Sequence, residues 1–521
     1  MTGESVRRLQ VASHLASIPR QDLPRLSSVP SDGLPARPHP RKRVLVLGAG
    51  MAGLVASYEL MRQGHEPVVI EARQRVGGRI YTVRDFAPGL YAEVGAMRIP
   101  RIHRATLAYC RKFRLPLRPS VARNPKALAY VGGKRMTAEE PARDPKLLPF
   151  PLARHEEGRS LGDLWHEATE EIREQYQSGG KAAIEALAAK YDSYSIRGYL
   201  KARGWSEGAI ERYGVMTFAE PNLNTAVMQE FREVIGEAYD NVQEIADGMD
   251  QLPRAFYDRL KSHIHLGTEV TRIKQDGTSV VVLARTGANQ REFCGHYAIC
   301  TLPFSVLRGI EVEPGFSHAK QKAIRQLHYD AATKVFLQVR RPFWECTDGI
   351  RGGTTLTDLP IRRIVYPSHT TSPDERAVLL ASYTWGQDAL QWSAMTPDQR
   401  IERALRDVAR IHPGIIEEFE FGFSYSWYQD PYAMGGYALF EPEQQTSLST
   451  DINRREGRVH FAGEHCSQWP AWIEGAVESG IRAAYEVHTD KAELLTAVEV
   501  PVSTMDDPHL IPREGKGALS I

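Results

Sequence analysis

The chain has 521 residues, which is enough for roughly three domains with sizeable hydrophobic cores. Its 65 basic and 64 acidic residues nearly cancel, so the charge gives no reason to expect nucleic acid or another polyanion as a partner. The five cysteines form no C-x-x-C pair, which argues against a zinc site or a disulfide framework and predicts no bound metal.

The two ends of the chain are polar. Residues 1–41 are rich in proline, serine and arginine and lack the apolar core of a secretory signal. We predict an extended arm there, with a removable pro-segment as the alternative. The tail over 491–521 is also polar, and no run of about 18 apolar residues occurs, so no membrane helix is expected. A cytoplasmic location is the prediction.

A nucleotide-binding segment begins at the apolar strand Val44–Leu47, which is typical of a strand buried on both faces. Gly48, Gly50 and Gly53 follow with G-x-G-x-x-G spacing. These glycines permit a tight turn, close approach of a pyrophosphate, and close packing of the next helix. That helix is predicted over 51–63, and the amides at its start favour phosphate.

An acidic residue follows the second predicted strand, Pro67–Ile70, about 20 residues beyond the glycines. The carboxylate of Glu71 can accept hydrogen bonds from ribose hydroxyls and would repel a ribose phosphate, which argues against NADP. The spacing alone leaves NAD and FAD open. The next residues form an E-A-R-x-R-x-G-G-R run, in which Arg79 can face a diphosphate. The alternative is that these arginines are solvated loop charges.

Arg98 lies just beyond this segment, within EVGAMRIP at 93–100. A guanidinium can grip a carboxylate through two parallel hydrogen bonds, so Arg98 indicates an acidic or zwitterionic substrate. A structural salt bridge is the alternative role.

The remaining elements alternate between helical and strand patterns. Residues 160–244 are dense in strong helix formers, while 269–273 and 279–283 flank an Asp-Gly turn and predict a hairpin. Further strands are predicted at 297–300, 334–339, 377–385 and 458–464, and a helix at 472–488.

These elements predict an α/β fold, with α+β character overall. It comprises a discontinuous Rossmann-like dinucleotide domain, a mixed-sheet substrate domain and an inserted helical domain. The dinucleotide domain is assigned to 42–100, 242–325 and 452–490. The substrate domain is assigned to 101–150 and 326–451, and the helical domain to 151–241. Pockets tend to form where such domains meet.

Eight segments together resemble the bacterial-type L-amino-acid oxidases of the flavin amine oxidase superfamily. The resemblance covers about 43–487, and its motifs are LGAGMAGL, EARQRVGGRI, EVGAMRIP, EIADGMDQLP, AATKVFLQV, ASYTWGQDA, YAMGGYALF and HFAGEHCSQWPAWIEGAVESG.

The resemblance implies FAD as the cofactor. In some members a cysteine bonds the flavin covalently, but Gly436 stands at that position here, so non-covalent binding is expected. The start of the last helix would stabilise negative charge on reduced flavin. The motifs and the resemblance together assign the cofactor to Gly48, Gly50, Met51, Ala52, Gly53, Glu71, Ala72, Arg73, Gly78, Arg79, Gly95, Ala96, Met97, Arg98, Val270, Gly463, Glu464, Ala471, Trp472, Ile473 and Ala476.

The resemblance also implies the substrate contacts. Arg98 and Tyr383 would hold the substrate carboxylate, and Lys334 would hold a water at flavin N5 and aid the reduction of oxygen. A lysine inside an apolar strand is costly without such a role.

Aromatic residues complete the expected pocket. Tyr437 and Trp472 would form walls beside the amine, with Trp469 as a further candidate, and the Ala471 carbonyl would accept a hydrogen bond from the amine. Trp385 is expected to be packing. An aromatic, uncharged pocket would favour large apolar or aromatic amino acids.

The expected reaction is oxidative deamination of an L-amino acid to a 2-oxo acid, ammonia and hydrogen peroxide, with dioxygen as oxidant. The resemblance implies a homodimer and a role in amino acid catabolism, without nucleic acid or membrane partners. Three alternatives stay open: an amino-acid 2-monooxygenase, an amine or polyamine oxidase, and a non-enzymatic FAD-binding protein.

Overall fold

The computed structural model describes part of the chain, namely residues 26–36, 39–235, 238–239, 241–369, 372 and 374–490. The chain divides into two units, of which the first ends at Asp490. The second, Lys491–Ile521, is the predicted tail and lies outside the described residues.

The predicted N-terminal arm is described only from residue 26. In place of extended chain, this part contains the helix Val29–Asp32. Val29 and Leu34 are buried in the same core as the strand Arg43–Leu47, and Arg62 donates to the carbonyl of Val29 at 3.1 Å. This end of the arm is therefore packed against the protein, because Val29 and Leu34 are apolar. The proline-rich and serine-rich composition of the arm did not indicate that these two residues would be buried.

A five-stranded parallel sheet forms the centre of the dinucleotide-binding region. The apolar runs predicted as strands are buried here on both faces, as parallel strands require. In sheet order its strands are Val459–Phe461, Tyr297–Cys300, Arg43–Leu47, Glu66–Ile70 and Ile264–His265.

Two helices pack against each other on this sheet. Met51–Arg62 follows the first strand, and Ile473–Thr489 lies across it near the end of the described chain. Their contact depends on Gly480, since a Cβ there would lie 2.5 Å from the carbonyl oxygen of Ala52. Segments more than 400 residues apart in sequence therefore share one core.

The predicted hairpin belongs to a second, four-stranded sheet. Glu269–Gln275 pairs antiparallel with Val280–Thr286, so the Asp-Gly turn connects two neighbouring strands, as predicted. In sheet order the strands are Asn289–Gly295, Val280–Thr286, Glu269–Gln275 and Glu311–Glu313.

A seven-stranded mixed sheet forms the substrate side of the molecule. Its longest strands, Ala332–Val339 and Ala377–Trp385, pair antiparallel and place Lys334 opposite Tyr383. In sheet order the strands are Phe419–Ser426, Ala332–Val339, Ala377–Trp385, Arg363–Val365, Thr354–Thr357, Leu128–Val131 and Lys134–Thr137.

A helical region with its own core follows the first substrate strands in sequence. Its longest helix begins with a capping box, in which Ser160 and Asp163 satisfy each other's backbone amides. The helices are Leu161–Tyr191, Ile196–Ala202, Glu207–Thr217 and Val227–Glu230, continued by the π-helical turn Phe231–Ile235.

Short elements connect these parts. Two-stranded pairs are Thr82–Val83 with Ala92–Glu93, Leu117–Pro119 with Gln243–Ile245, and Tyr329–Asp330 with Tyr437–Ala438. The other α-helices are Arg104–Lys112, Glu140–Arg143, Gln251–Leu260, Phe304–Leu307, His318–Gln326, Phe343–Asp348, Gly386–Ser393, Pro397–Ile411, Ile415–Glu418 and Gln444–Asn453. The 3₁₀ turns are Pro145–Leu147, Glu220–Asn222, Lys261–His263 and Glu464–Cys466.

Within the described part of the chain, no helix combines the length and apolar character needed to cross a membrane.

A buried carboxylate ties the last helix to the helix Arg104–Lys112. Glu474 accepts from the backbone amides of Ala105 and Thr106, at 2.9 and 2.8 Å, and from the Thr106 hydroxyl at 2.6 Å. These are the unpaired amides at the start of a helix, where a negative charge is favourable.

Replacing Glu474 with alanine leaves these buried donors without a partner. We expect Glu474→Ala to lower the free energy of unfolding by about 2–4 kcal/mol, because unpaired buried donors keep their full desolvation cost. Thermal unfolding followed by circular dichroism measures this. The exposed Glu402 provides the control, since Glu402→Ala should change stability by less than about 0.5 kcal/mol. Equal midpoints for both variants would contradict the assignment.

Candidate active site

The predicted glycine cradle forms one end of a long groove. Gly48 has φ 103°, and a Cβ on Gly53 would lie 2.0 Å from the Gly48 carbonyl oxygen. The tight turn and the close helix packing therefore both require glycine. Gly50 is the N-cap of Met51–Arg62, so the free amides of this helix start beside the groove.

Glu71 is buried at the end of the second strand. Its two oxygens accept from the amides of Ala49 at 2.7 Å and Arg73 at 2.8 Å. Burial raises the pKa of Glu71, and these hydrogen bonds act against that rise. A carboxylate can accept about four hydrogen bonds, so capacity remains for the hydroxyls of a ribose.

The groove has a cavity volume of about 440 Å³. Gly53, Met97 and Arg98 do not line it, although they belong to the predicted cofactor set. The other predicted cofactor residues all line it: Gly48, Gly50, Met51, Ala52, Glu71, Ala72, Arg73, Gly78, Arg79, Gly95, Ala96, Val270, Gly463, Glu464, Ala471, Trp472, Ile473 and Ala476. Sequence reasoning missed several further lining residues, including Thr301, Trp427, Pro431 and Tyr432.

The arginines after Glu71 form ion pairs at the groove. Arg73 pairs with Asp430, and Arg79 donates to Glu464 at 2.9 Å. Glu464 also accepts from the amide of Ala438 at 3.0 Å and from that of Ala471 at 2.7 Å. The alternative of solvated loop charges does not apply to Arg73 and Arg79, because both are bound into the groove wall.

Lys334 lies in the groove wall where the substrate sheet meets it. Its side chain is buried and donates to the carbonyls of Glu93 at 2.8 Å and Gly95 at 2.7 Å. The ammonium lies 4.6 Å from the ring centre of Tyr383, the residue opposite in the strand pairing. Burial, opposed by the charge of Glu93 and assisted by the cations Arg363 and Arg98, lowers the pKa of Lys334 to about 7.

A smaller cavity of about 150 Å³ adjoins the groove and shares seven lining residues with it. Arg98, Tyr383, Tyr437, Ala471 and Trp472, which are the predicted substrate residues, all line this cavity. Trp385, predicted to be packing, lines it as well, whereas Trp469 lines neither cavity and packs 5.5 Å from the ring of His103.

Arg98 has no carboxylate partner in the described part of the chain. Its Nε is buried without an acceptor, and burial lowers the pKa of the guanidinium. The nearby Glu244 is already engaged by Arg118 and His369. A structural salt bridge therefore does not explain why Arg98 is buried here.

A second arginine, Arg363, lines the same cavity with its Nε buried, and sequence reasoning missed it. Its guanidinium lies 3.8 Å from the ring centre of Phe218, 4.2 Å from that of Tyr383 and 4.8 Å from that of Trp385. The only sequence signal was a charged residue within an apolar strand pattern. Beyond Arg98, the expectation of an uncharged pocket is wrong, because Arg363 also lines it.

The helical region supplies the opposite wall with polar groups, which sequence reasoning also missed. Glu233 accepts from the Tyr239 hydroxyl at 2.6 Å and from the Trp472 indole at 3.0 Å. The hydrogen bond to Glu233 orients Trp472 at the start of the last helix. Burial, with the charge of Glu233, raises the pKa of the neighbouring Glu230 to about 7.

Comparisons with known proteins agree on a family. The family model described as flavin containing amine oxidoreductase matches residues 51–488. The Bacillus subtilis (strain 168) protein YobN, whose name assigns it provisionally to the L-amino-acid oxidases, is 38% identical over 464 residues, covering 88% of this chain and 96% of that protein. The L-amino-acid oxidase of Siganus canaliculatus is 34% identical over 486 residues, covering 92% and 91%. That of Gloydius blomhoffii is 34% identical over 465 residues, covering 88% and 91%.

Solved structures show the same fold. Cyclohexylamine oxidase from Brevibacterium oxydans IH-35A superimposes with a TM-score of 0.71 at 22% identity, covering 86% of this chain and 99% of that chain. Wild-type putrescine oxidase bound to putrescine gives 0.71 at 19% identity, with the same coverage. The predicted fold class is confirmed by this likeness and by the sheets described above.

The lowered pKa of Lys334 predicts a pH-dependent stability. Between the folded value of about 7 and the ordinary value of 10.5, the unfolded chain binds a proton that the folded protein does not. The cost of burying the charge is therefore full below pH 7 and is relieved as the pH rises. Lys334→Met removes this cost at every pH.

The stability of Lys334→Met relative to the wild type should accordingly fall by about 2 kcal/mol between pH 7.5 and 9.5. Denaturant unfolding at both pH values measures the difference. Lys320, whose pKa burial also lowers to about 7, is present in both proteins and cancels from the comparison. Parallel pH profiles for the two proteins would refute the assignment.

Proposed function

The chain belongs to the flavin-containing amine oxidoreductase family, and on that premise we propose that it is an FAD-dependent L-amino-acid oxidase. The observation that carries the substrate class is Arg98, a partly buried arginine whose Nε is buried without an acceptor and which has no anionic partner among the described residues. It lines a cavity that adjoins the groove. The names of the relatives support the same class.

The groove fits FAD on several counts. The glycine positions leave space that a Cβ would fill, and Glu71 and the start of Met51–Arg62 suit a ribose and a diphosphate. The chemistry supplied by bound FAD is two-electron oxidation of the amino acid and transfer of those electrons to dioxygen, which yields hydrogen peroxide.

We propose that the FAD is held without a covalent bond to residue 436. Gly436 carries no nucleophile, and a Cβ there would lie 2.6 Å from the Cβ of Ala332. A cysteine side chain could not enter that space without displacing the neighbouring strand.

The proposed role of Arg98 and Tyr383 is to orient the substrate. Arg98 would bind the α-carboxylate in a bidentate manner, and the Tyr383 hydroxyl would donate to it from the adjoining wall. Fixing the carboxylate directs the α-hydrogen toward the groove, where both cavities share Ala471 and Trp472. The Ala471 carbonyl would accept a hydrogen bond from the amine.

The cavity must also exclude water and leave the amine neutral before oxidation. Tyr437, Trp385 and Trp472 form its aromatic walls. A neutral amine needs no protein base to lose hydride, and the imino acid product hydrolyses to a 2-oxo acid and ammonia. Lys334, whose pKa is about 7, would provide a positive charge where oxygen is reduced, and this charge would depend on pH.

The homodimer, the cytoplasmic location and the domain limits predicted from sequence remain part of this proposal.

Product analysis tests the proposed reaction. We expect the flavin to bleach on anaerobic addition of an L-amino acid but not of its D enantiomer. Aerobic turnover should give equal amounts of 2-oxo acid, ammonia and hydrogen peroxide. An amide product would identify a 2-monooxygenase, and faster bleaching by decarboxylated amines would identify an amine oxidase. No bleaching by any amine or amino acid would support a non-catalytic flavoprotein.

Arg98→Ala tests the proposed carboxylate contact. Leaving the substrate carboxylate unpaired in a buried site should cost about 3–5 kcal/mol, by analogy with broken buried ion pairs. That corresponds to a loss of at least about a hundredfold in kcat/KM. The neighbouring exposed Arg101 is the matched control, and Arg101→Ala should retain wild-type rates. A loss below about tenfold in Arg98→Ala would rule out the contact.

A further inference from the structure

Two guanidinium groups line the small cavity, and neither has an ion-pair partner among the described residues. The α-carboxylate of an amino acid can neutralise only one of them. Burying an unpaired charge is costly, so a second buried cation points to a second anion. Arg363 is the group that the proposed function leaves without a partner.

Arg362 and Arg363 are neighbours in sequence but have different surroundings. Arg362 precedes the short strand Arg363–Val365 and has φ 58°, whereas Arg363 is the first residue of that strand. Arg362 is neutralised by Asp388 at 2.7 Å and by Glu220. Arg363 instead enters the cavity, where its Nε is buried without an acceptor.

Aromatic rings cover the guanidinium of Arg363. Phe218, Tyr383 and Trp385 lie within 3.8–4.8 Å of it. Phe218 has φ 66°, a backbone conformation that a bulky residue rarely adopts, and this conformation ends the helix Glu207–Thr217. Stacked rings satisfy a guanidinium through its π face but offer no acceptor to its N–H edge.

The carboxylates of the cavity are engaged elsewhere. Glu233 is held by Tyr239, Trp472 and Gln229, and Glu230 is hydrogen-bonded to Tyr213. Burial lowers the pKa of Arg363 only to about 10, with Arg98 contributing, so the group stays cationic at neutral pH. The Arg363 end of the cavity is therefore positive and can receive an anion.

We propose that Arg363 binds the side-chain carboxylate of a dicarboxylic amino acid, and that this enzyme prefers L-glutamate or L-aspartate over their amides and over apolar amino acids. This inference rests on the proposed L-amino-acid oxidase function. Arg98 would hold the α-carboxylate and Arg363 the second carboxylate, so each cation would meet one anion. Arg363 is then a specificity-determining residue.

Steady-state peroxide release by the holoenzyme tests the preference. We expect kcat/KM for L-glutamate or L-aspartate to exceed that for the matching amide by about a hundredfold, because an amide leaves Arg363 without a counter-charge. In Arg363→Met this preference should disappear, because kcat/KM falls much more for the acidic substrates than for L-leucine. Arg363→Lys should restore part of it. The exposed Arg340 is the control, and Arg340→Met should keep the wild-type pattern.

Other outcomes overturn the inference in distinguishable ways. A wild-type enzyme that oxidises L-leucine or L-phenylalanine but does not favour acidic substrates would overturn it and leave the proposed function intact. An equal loss for acidic and apolar substrates in Arg363→Met would make Arg363 a second α-carboxylate contact. Failure of all amino acids would overturn the proposed function itself.

A binding measurement on the wild type covers the case in which Arg363→Met does not fold. Perturbation of flavin absorbance gives the Kd of glutarate and of its mono-acid isostere, pentanoate. We expect glutarate to bind at least about tenfold more tightly, because its two carboxylates meet two guanidinium groups. Equal affinities would overturn the inference.

Discussion

One carboxylate holds the two halves of the site together. Glu464 accepts from Arg79 in the loop after the cradle, from the amide of Ala438 on the substrate side, and from the amide of Ala471 before the last helix. Three segments that are distant in sequence meet on one side chain, so the groove wall and the cavity wall cannot move independently. A buried carboxylate that accepts three hydrogen bonds is more stable than a buried carboxylate that accepts fewer.

Around this junction the protein concentrates positive charge. Lys334, Arg98 and Arg363 lie close enough that each arginine lowers the pKa of the lysine. The two arginines have no carboxylate partner within the described residues, although ion pairs are frequent elsewhere in the molecule. Under the proposed function, an anionic substrate would supply the counter-charge that these arginines lack. The same two cations help to lower the pKa of Lys334, so the binding of the substrate and the charge of the lysine would be linked.

The parts predictable from sequence were those governed by local rules. The glycine spacing predicted the turn at Gly48 and the close helix contact at Gly53, both of which require glycine, and Glu71 follows at the expected distance. The strands, the hairpin and the last helix also lie close to their predicted positions, because in each element the buried side chains recur with the period of that element. What could not be predicted depends on tertiary contacts. Arg363 becomes a cavity residue only through strand pairing and the stacking of Phe218, and no periodicity distinguishes it from the ion-paired Arg362 beside it.

The helical region reaches the cavity through a short stretch of chain. Phe218 covers Arg363, and Glu233 and Tyr239 orient Trp472, yet none of these three residues lines the long groove. The helical region therefore affects the groove only indirectly, through Trp472 and Tyr383, which line both cavities. Under the proposed function, substitutions of Phe218, Glu233 or Tyr239 would change which amino acids enter and would leave the glycine cradle unaltered.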